Sequence, residues 1–124
     1  METTNKVEEK EVLAFVEDKS MEWEQVAPGI KRKIMTYDDR VMLVKVYFEK
    51  GGIGTVHNHY HTQLTYISKG VFEVEVDGKK QILKQGDVFH AAPNLFHGVV
   101  CLEEGELIDV FSPMREDFID SVKG

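Results

Sequence analysis

Cysteine is almost missing from this chain. Cys101 is the only one, which excludes an internal disulfide and fits a reducing compartment. Within Val99-Val100-Cys101-Leu102 it reads as a small core residue rather than a nucleophile. Long apolar runs are missing as well. No window approaches the roughly eighteen consecutive apolar residues of a membrane-spanning helix. The opening Met1-Glu2-Thr3-Thr4-Asn5-Lys6-Val7-Glu8-Glu9-Lys10 is polar and lacks an apolar stretch, so no secretory leader and no membrane partner are expected, and a cytoplasmic location is. Positive charge is scarce: 15 basic residues stand against 22 acidic ones, a net charge of −7. That argues against nucleic acid as a partner, because phosphate binding needs clustered Lys and Arg. The nearest approach to a basic cluster, Lys31-Arg32-Lys33, is read as a solvated strand edge. Repeats, low-complexity tracts and linkers are also absent.

What is present is one domain's worth of chain, 124 residues, built of short strand signals. Residues 1–22 are expected to form a charged, partly flexible extension, 23–118 the folded domain and 119–124 a tail. Val41 to Phe48 is rich in β-branched and aromatic residues and runs into Gly51-Gly52. Gln63 to Ile67 reads as a strand that stops at Gly70. Phe72-Glu73-Val74-Glu75-Val76 alternates apolar and acidic residues, the mark of a half-buried strand. Asp77-Gly78 follows at once as a hairpin turn into Gln81-Ile82-Leu83. Further strands are predicted over Val88–Ala91, over His97–Leu102 and, after a turn at Glu104-Gly105, over Leu107–Phe111. Many short strands with turn signals between them indicate an all-β sandwich or barrel. Only the C-terminus looks helical, with Ser112-Pro113 as a cap and Phe118, Ile119 and Val122 at helical spacing.

All five histidines fall between positions 57 and 97, and three of them, His57, His59 and His61, lie within five residues. Alternate residues of an extended strand share a face. His57 and His59 can therefore present two imidazoles to one ion; the alternative is a solvated polar cluster. His61 belongs near the mouth of such a site, touching substrate, or on the surface. His90 reads as structural. Near the C-terminus, Asp109 lies in the apolar run Leu107 to Phe111, where an acid is costly unless it is paired or used. Leu107, Asp109 and Phe111 share one face. If that face looks inward, Asp109 can act as a general acid or base and Phe111 can line a cavity. Otherwise Asp109 faces outward or pairs with Arg115. Arg115 itself can bind a carboxylate or form a surface ion pair.

The spacing is Gly51, five residues, His57-Asn58-His59, three residues, Gln63, six residues, Gly70; later come Gly86-Asp87, Pro93 and His97. This resembles the two motifs of the cupin superfamily, G-x5-H-x-H-x3,4-E-x6-G and a second that opens on Gly-Asp, passes a Pro and ends on a His. The resemblance implies a double-stranded β-helix, a jelly-roll barrel, with a short C-terminal helical turn. It implies one divalent metal ion inside (nickel, zinc, iron, manganese or cobalt), held by His57, His59, Gln63 and His97. Gln63 departs from the usual Glu, and a second option leaves the fourth place to His61 or water. Three imidazoles and an amide leave the ion's charge uncompensated, which suits Lewis-acid chemistry on an anion better than a high oxidation state.

A narrower resemblance covers roughly Trp23 to Phe118. Asp109-Val110-Phe111-Ser112-Pro113-Met114-Arg115-Glu116-Asp117-Phe118, His57-x-His59-x-His61-x-Gln63 and Trp23-Glu24-Gln25-Val26-Ala27-Pro28-Gly29 are similar to the KdgF-type cupins of pectin degradation. Thr62 and Tyr60 depart from that pattern, which often has an acid and a Pro there. This resemblance implies ring opening of 4,5-unsaturated monouronates from pectin or alginate by a homodimer joined through its N-terminal strands. Asp109 and Arg115 would be catalytic, and Phe111, Arg115 and His61 would contact a small anionic sugar. The competing expectations are a metal-dependent dioxygenase or small-acid lyase, and a non-catalytic sugar- or metal-binding cupin.

Overall fold

The structure is a computed structural model that describes residues 12–123, with side chains to 119. The polar segment 1–11 and the side chain of Val122 lie outside the described residues. Eight strands follow one another: β1 Glu24–Ala27, β2 Ile30–Tyr37, β3 Met42–Phe48, β4 Ile53–His57, β5 Thr62–Val76, β6 Lys79–Lys84, β7 Val88–Ala91 and β8 His97–Ser112. A single turn of 3-10 helix at Asp18–Ser20 precedes them and a helix, α1 Glu116–Lys123, closes the chain. Among the described residues no helix is long and apolar enough to cross a membrane.

Every pairing is antiparallel, and β5 and β8 hold the molecule together. They pair along nearly their whole length, from Thr62 with Ser112 to Val76 with His97. Their halves near Thr62 and Ser112 carry β7 on one side and β3, β2 and β1 on the other. Their other halves carry β6 and β4. Two strands thus bend from one layer into the other, which closes a jelly-roll barrel.

The bend corrects two expectations. No strand stops at Gly70, and Glu104-Gly105 is not a turn: both lie inside continuous strands. Register shifts at Ile67/Lys69, Lys69/Val71 and Val71/Phe72 mark bulges at the corner. There the two backbones meet so closely that a Cβ on Gly105 would lie 2.2 Å from the Lys69 carbonyl oxygen, and one on Gly70 2.6 Å from that of Glu104. The glycines permit a crossing and not a reversal. Asp77-Gly78, by contrast, is the expected hairpin, with φ of 53° and 79°.

Inward-facing residues form two clusters. The larger contains Phe48, Ile67, Phe72, Val99, Cys101 and Leu107, with Phe48 and Phe72 packed edge to face. Cys101 is a buried thiol, as expected. The smaller contains Met42, Val44, Phe111 and Met114, and Phe118 and Ile119 of α1 pack on it. The helix begins at Glu116 and not at Ser112-Pro113; Ser112 ends β8, and its hydroxyl donates to the Arg40 carbonyl at 2.7 Å.

Lys31-Arg32-Lys33 is not a solvated edge. β2 is flanked by both β1 and β3, and Arg32 and Lys33 are buried. Lys33 faces outward under Trp23 and donates to the Asp18 carbonyl and carboxylate, each at 3.0 Å. Arg32 points the other way, into the barrel, and borders its cavity.

Candidate metal centre

His57 ends β4 and stands directly opposite His97, which begins β8. His59 follows in the short connection to β5, and Gln63 is the second residue of β5. One ring nitrogen from each of the three histidines can be chosen so that all lie within 4.8 Å of one another. The ring centres of His57 and His97 are 4.6 Å apart and those of His59 and His97 4.8 Å.

Hydrogen bonds fix which atoms face inward. His57 Nδ1 donates to the Thr55 carbonyl at 2.8 Å, His59 Nδ1 to that of His61 at 3.0 Å and His97 Nδ1 to that of Leu95 at 3.0 Å. A ring nitrogen held by a carbonyl carries the proton, so each Nε2 is left with a lone pair. The Gln63 amide donates through Nε2 to Thr65 Oγ1 at 2.9 Å and to Asp109 Oδ1 at 3.3 Å. Its Oε1 therefore faces His59 Nε2 at 3.0 Å and His97 Nε2 at 3.1 Å. Acceptors converge there with no proton between them, an arrangement that a cation stabilises and that is repulsive without one. Burial first, and then the Arg115 charge, hold His59 down to about 4. Burial likewise lowers His97, with His57 and Arg115 adding to the effect. Neutral imidazoles are what a metal requires. The donor set fits a divalent ion.

The cavity beside these residues has a volume of about 200 Å³. Pockets for drug-sized ligands start at about 300 Å³, so the space suits a single small molecule rather than a chain. Asp109 and Phe111 point into it from β8, as their shared face with Leu107 suggested, and Arg115 reaches it from the β8–α1 connection. The Asp109 carboxylate accepts from Thr65 Oγ1 at 2.6 Å. Burial pushes it up to about 6, against the opposing pull of the Thr65 hydroxyl and the Arg115 charge. Arg115 does not pair with Asp109. Its Nε and Nη2 grip Asp117 at 3.1 and 2.9 Å, and its guanidinium lies over Phe111 and Phe118.

His61 departs from expectation. Its ring does not border the cavity and is not on the surface: it is 4% exposed, stacked under Tyr60, with Nε2 2.9 Å from Glu116 Oε1. It ties the start of α1 to the barrel, while Gln63 Oε1 is the atom that lies beside the His59 and His97 Nε2 atoms. The His61 contact also lowers the Glu116 carboxyl. His90 faces outward on β7. Arg32, Thr65 and Phe118 were not among the expected site residues. For Arg32 the signal was available: inward-facing Ile30 and Ile34 flank it at alternate positions of β2.

A closed jelly-roll barrel with three clustered imidazoles, an oriented amide and a buried acid beside them defines a small cupin-like domain with a candidate metal centre. The cupin domain family model matches residues 44–111. The pectin degradation protein KdgF of Dickeya dadantii is 52% identical over 107 residues, which is 85% of this chain and 96% of that protein. The solved KdgF of a Halomonas species is 42% identical with a TM-score of 0.83, covering 85% of this chain and 97% of its own. An RmlC-like cupin from Shewanella frigidimarina is 40% identical with a TM-score of 0.84, covering 93% and 99%. The chain belongs to the cupin family and, within it, to the group that contains KdgF.

Proposed function

We propose that this protein opens the ring of 4,5-unsaturated monouronates released from pectin or alginate, yielding the linear 5-keto-4-deoxyuronate. The observation that carries this reading is the position of Asp109: a carboxylate bonded to the amide of Gln63 and facing a monosaccharide-sized cavity, in a chain 52% identical to KdgF. His57, His59, His97 and Gln63 would hold one divalent ion, which when bound supplies Lewis acidity toward an oxygen of the sugar. Arg115, its side edge anchored by Asp117, offers its charge and its free end to the substrate carboxylate. Phe111 packs against the sugar ring. Asp109 accepts the proton of the anomeric hydroxyl as the ring C–O bond breaks, and a proton returns to C4 as the enol becomes a ketone. Protons and electrons balance without an oxidant, which suits a site lacking a compensating glutamate. The proposed working unit is a cytoplasmic homodimer joined through the N-terminal strands.

The test is proton NMR of unsaturated galacturonate with the purified, metal-loaded chain. The linear keto acid should accumulate faster than it forms spontaneously. An unchanged rate with metal bound would remove the ring-opening assignment.

A further inference from the structure

Arg32 is a buried cation to which the proposed reaction gives no task. Its side chain is 10% exposed, and it borders the cavity together with Arg115 and Phe118. A guanidinium has five N–H donors. In Arg32 the Nε–H is taken by Glu24 Oε1 at 2.9 Å, and no described residue accepts from the terminal nitrogens. Those nitrogens are not sealed in the core either. Among the described residues, the buried side-chain nitrogen or oxygen atom that lacks a partner is His61 Nδ1. The guanidinium end of Arg32 belongs to a side chain that lines the cavity.

Arg115 is built on the same plan. An acid holds its inner edge, Asp117 for Arg115 and Glu24 for Arg32. Both guanidinium groups lie on one aromatic ring, 4.2 and 4.1 Å from the centre of Phe118. They are thus no farther apart than the sum of those distances. Val26, Val44 and Val46 supply apolar walls. Two fixed cations with free N–H edges in such surroundings favour an anion strongly over a neutral group. A carboxylate has about four lone-pair sites, enough for two guanidinium ends.

We propose that Arg32 is a second carboxylate-binding residue of the cavity, and that it and Arg115 together select an acidic sugar over a neutral one. This rests on the uronate reading above, in which Arg115 alone was given that task. The paired acids Glu24 and Asp117 are positioning residues that leave the outer edges of the arginines free.

The test is titration calorimetry of the full chain, loaded with nickel(II), with galacturonate, a saturated uronate that lacks the reacting double bond. Arg32→Met should weaken binding roughly ten- to a hundredfold, the usual effect of losing a charge-assisted contact, with nickel affinity unchanged. Arg32→Lys, a point charge without a fork, should recover part of the loss and keeps the test open if the Met variant does not fold. Glu24→Gln, which weakens the anchor and spares the guanidinium, should lose part of the binding, about three- to tenfold and less than Arg32→Met. The proposal is overturned if Arg32→Met binds like the parent, if Glu24→Gln loses as much as Arg32→Met, if nickel affinity falls in parallel, or if the parent does not bind galacturonate. If binding depends on Arg32 but unsaturated galacturonate is not opened, the ring-opening reading falls and the anion site stands. If ring opening proceeds with an unchanged KM in Arg32→Met, the outcome is the reverse.

Discussion

Asp109, Thr65 and Gln63 form a closed triangle of hydrogen bonds in which every proton has an assigned place. Thr65 donates to Asp109 at 2.6 Å, and Gln63 donates to both Thr65 and Asp109. The amide oxygen is thereby aimed at the imidazoles, so the buried acid and the amide are set by one network. Asp109→Asn removes the proton acceptor and leaves the ligands in place. Turnover should fall by about a hundredfold or more while calorimetry shows nickel(II) still bound. Gln63→Glu is a sharper probe. The new carboxylate has no hydrogen to give Asp109 and repels it, yet offers the ion a charged oxygen. Metal affinity should rise and turnover should drop; a variant as active as the parent would remove the role given to the neutral amide. At this scale much of the site was legible. The spacing of His57, His59 and Gln63, with His97 beyond, could be read directly, because alternate positions of an extended segment share a face. His61 was misjudged because histidines at alternate positions look equivalent until Glu116, which is 55 residues away, claims one of them.

The long strands β5 and β8 show what pattern alone could not supply. Their apolar alternation was visible on either side of the corner, but Gly70 and Glu104-Gly105 carry the same letters as turns. Only the approach of two backbones explains them. Gly105→Ala would force a Cβ onto the Lys69 carbonyl, a backbone atom that cannot step aside. Denaturant unfolding should show a loss of about 3 kcal/mol or an unfolded chain. β2 was misread for a related reason: three successive cations suggest solvent, yet the strand is covered on both sides and its cations are individually housed. Asp18 anchors one of them, Lys33, at 3.0 Å, and holds Lys45 of the neighbouring β3 at 2.9 Å. The hydrogen bond from Lys45, and then that from Lys33, lowers the Asp18 carboxyl below its ordinary 3.8. A carboxyl lowered on folding adds stability above its unfolded value and loses it as pH falls through the folded one. Asp18→Asn should thus be less stable than the parent at neutral pH, and thermal melts should converge with those of the parent below 3.8.

In the whole molecule, the barrel brings two kinds of side chain, imidazoles and guanidinium groups, to one cavity. The histidines arrive on β4, β8 and the connection between β4 and β5. The guanidinium groups arrive on β2 and in the connection from β8 to α1. The fold class could be read from strand spacing and the hairpin at Asp77-Gly78. The meeting of Arg32 with Arg115 could not, because it depends on barrel closure between segments far apart in sequence. Binding of an ion to the folded state alone should also stabilise the domain, by about 4 kcal/mol at a thousandfold excess over the dissociation constant. A thermal melt with and without nickel(II) measures this directly. The central claim, that metal centre and acid act together on an unsaturated uronate, is tested by the ultraviolet absorbance of the conjugated double bond. Mixed with unsaturated galacturonate, the nickel-loaded parent should accelerate its loss, a chelator should abolish the acceleration and added nickel(II) should restore it, and Asp109→Asn should show none. Acceleration that survives the chelator, or that persists in Asp109→Asn, would contradict the account.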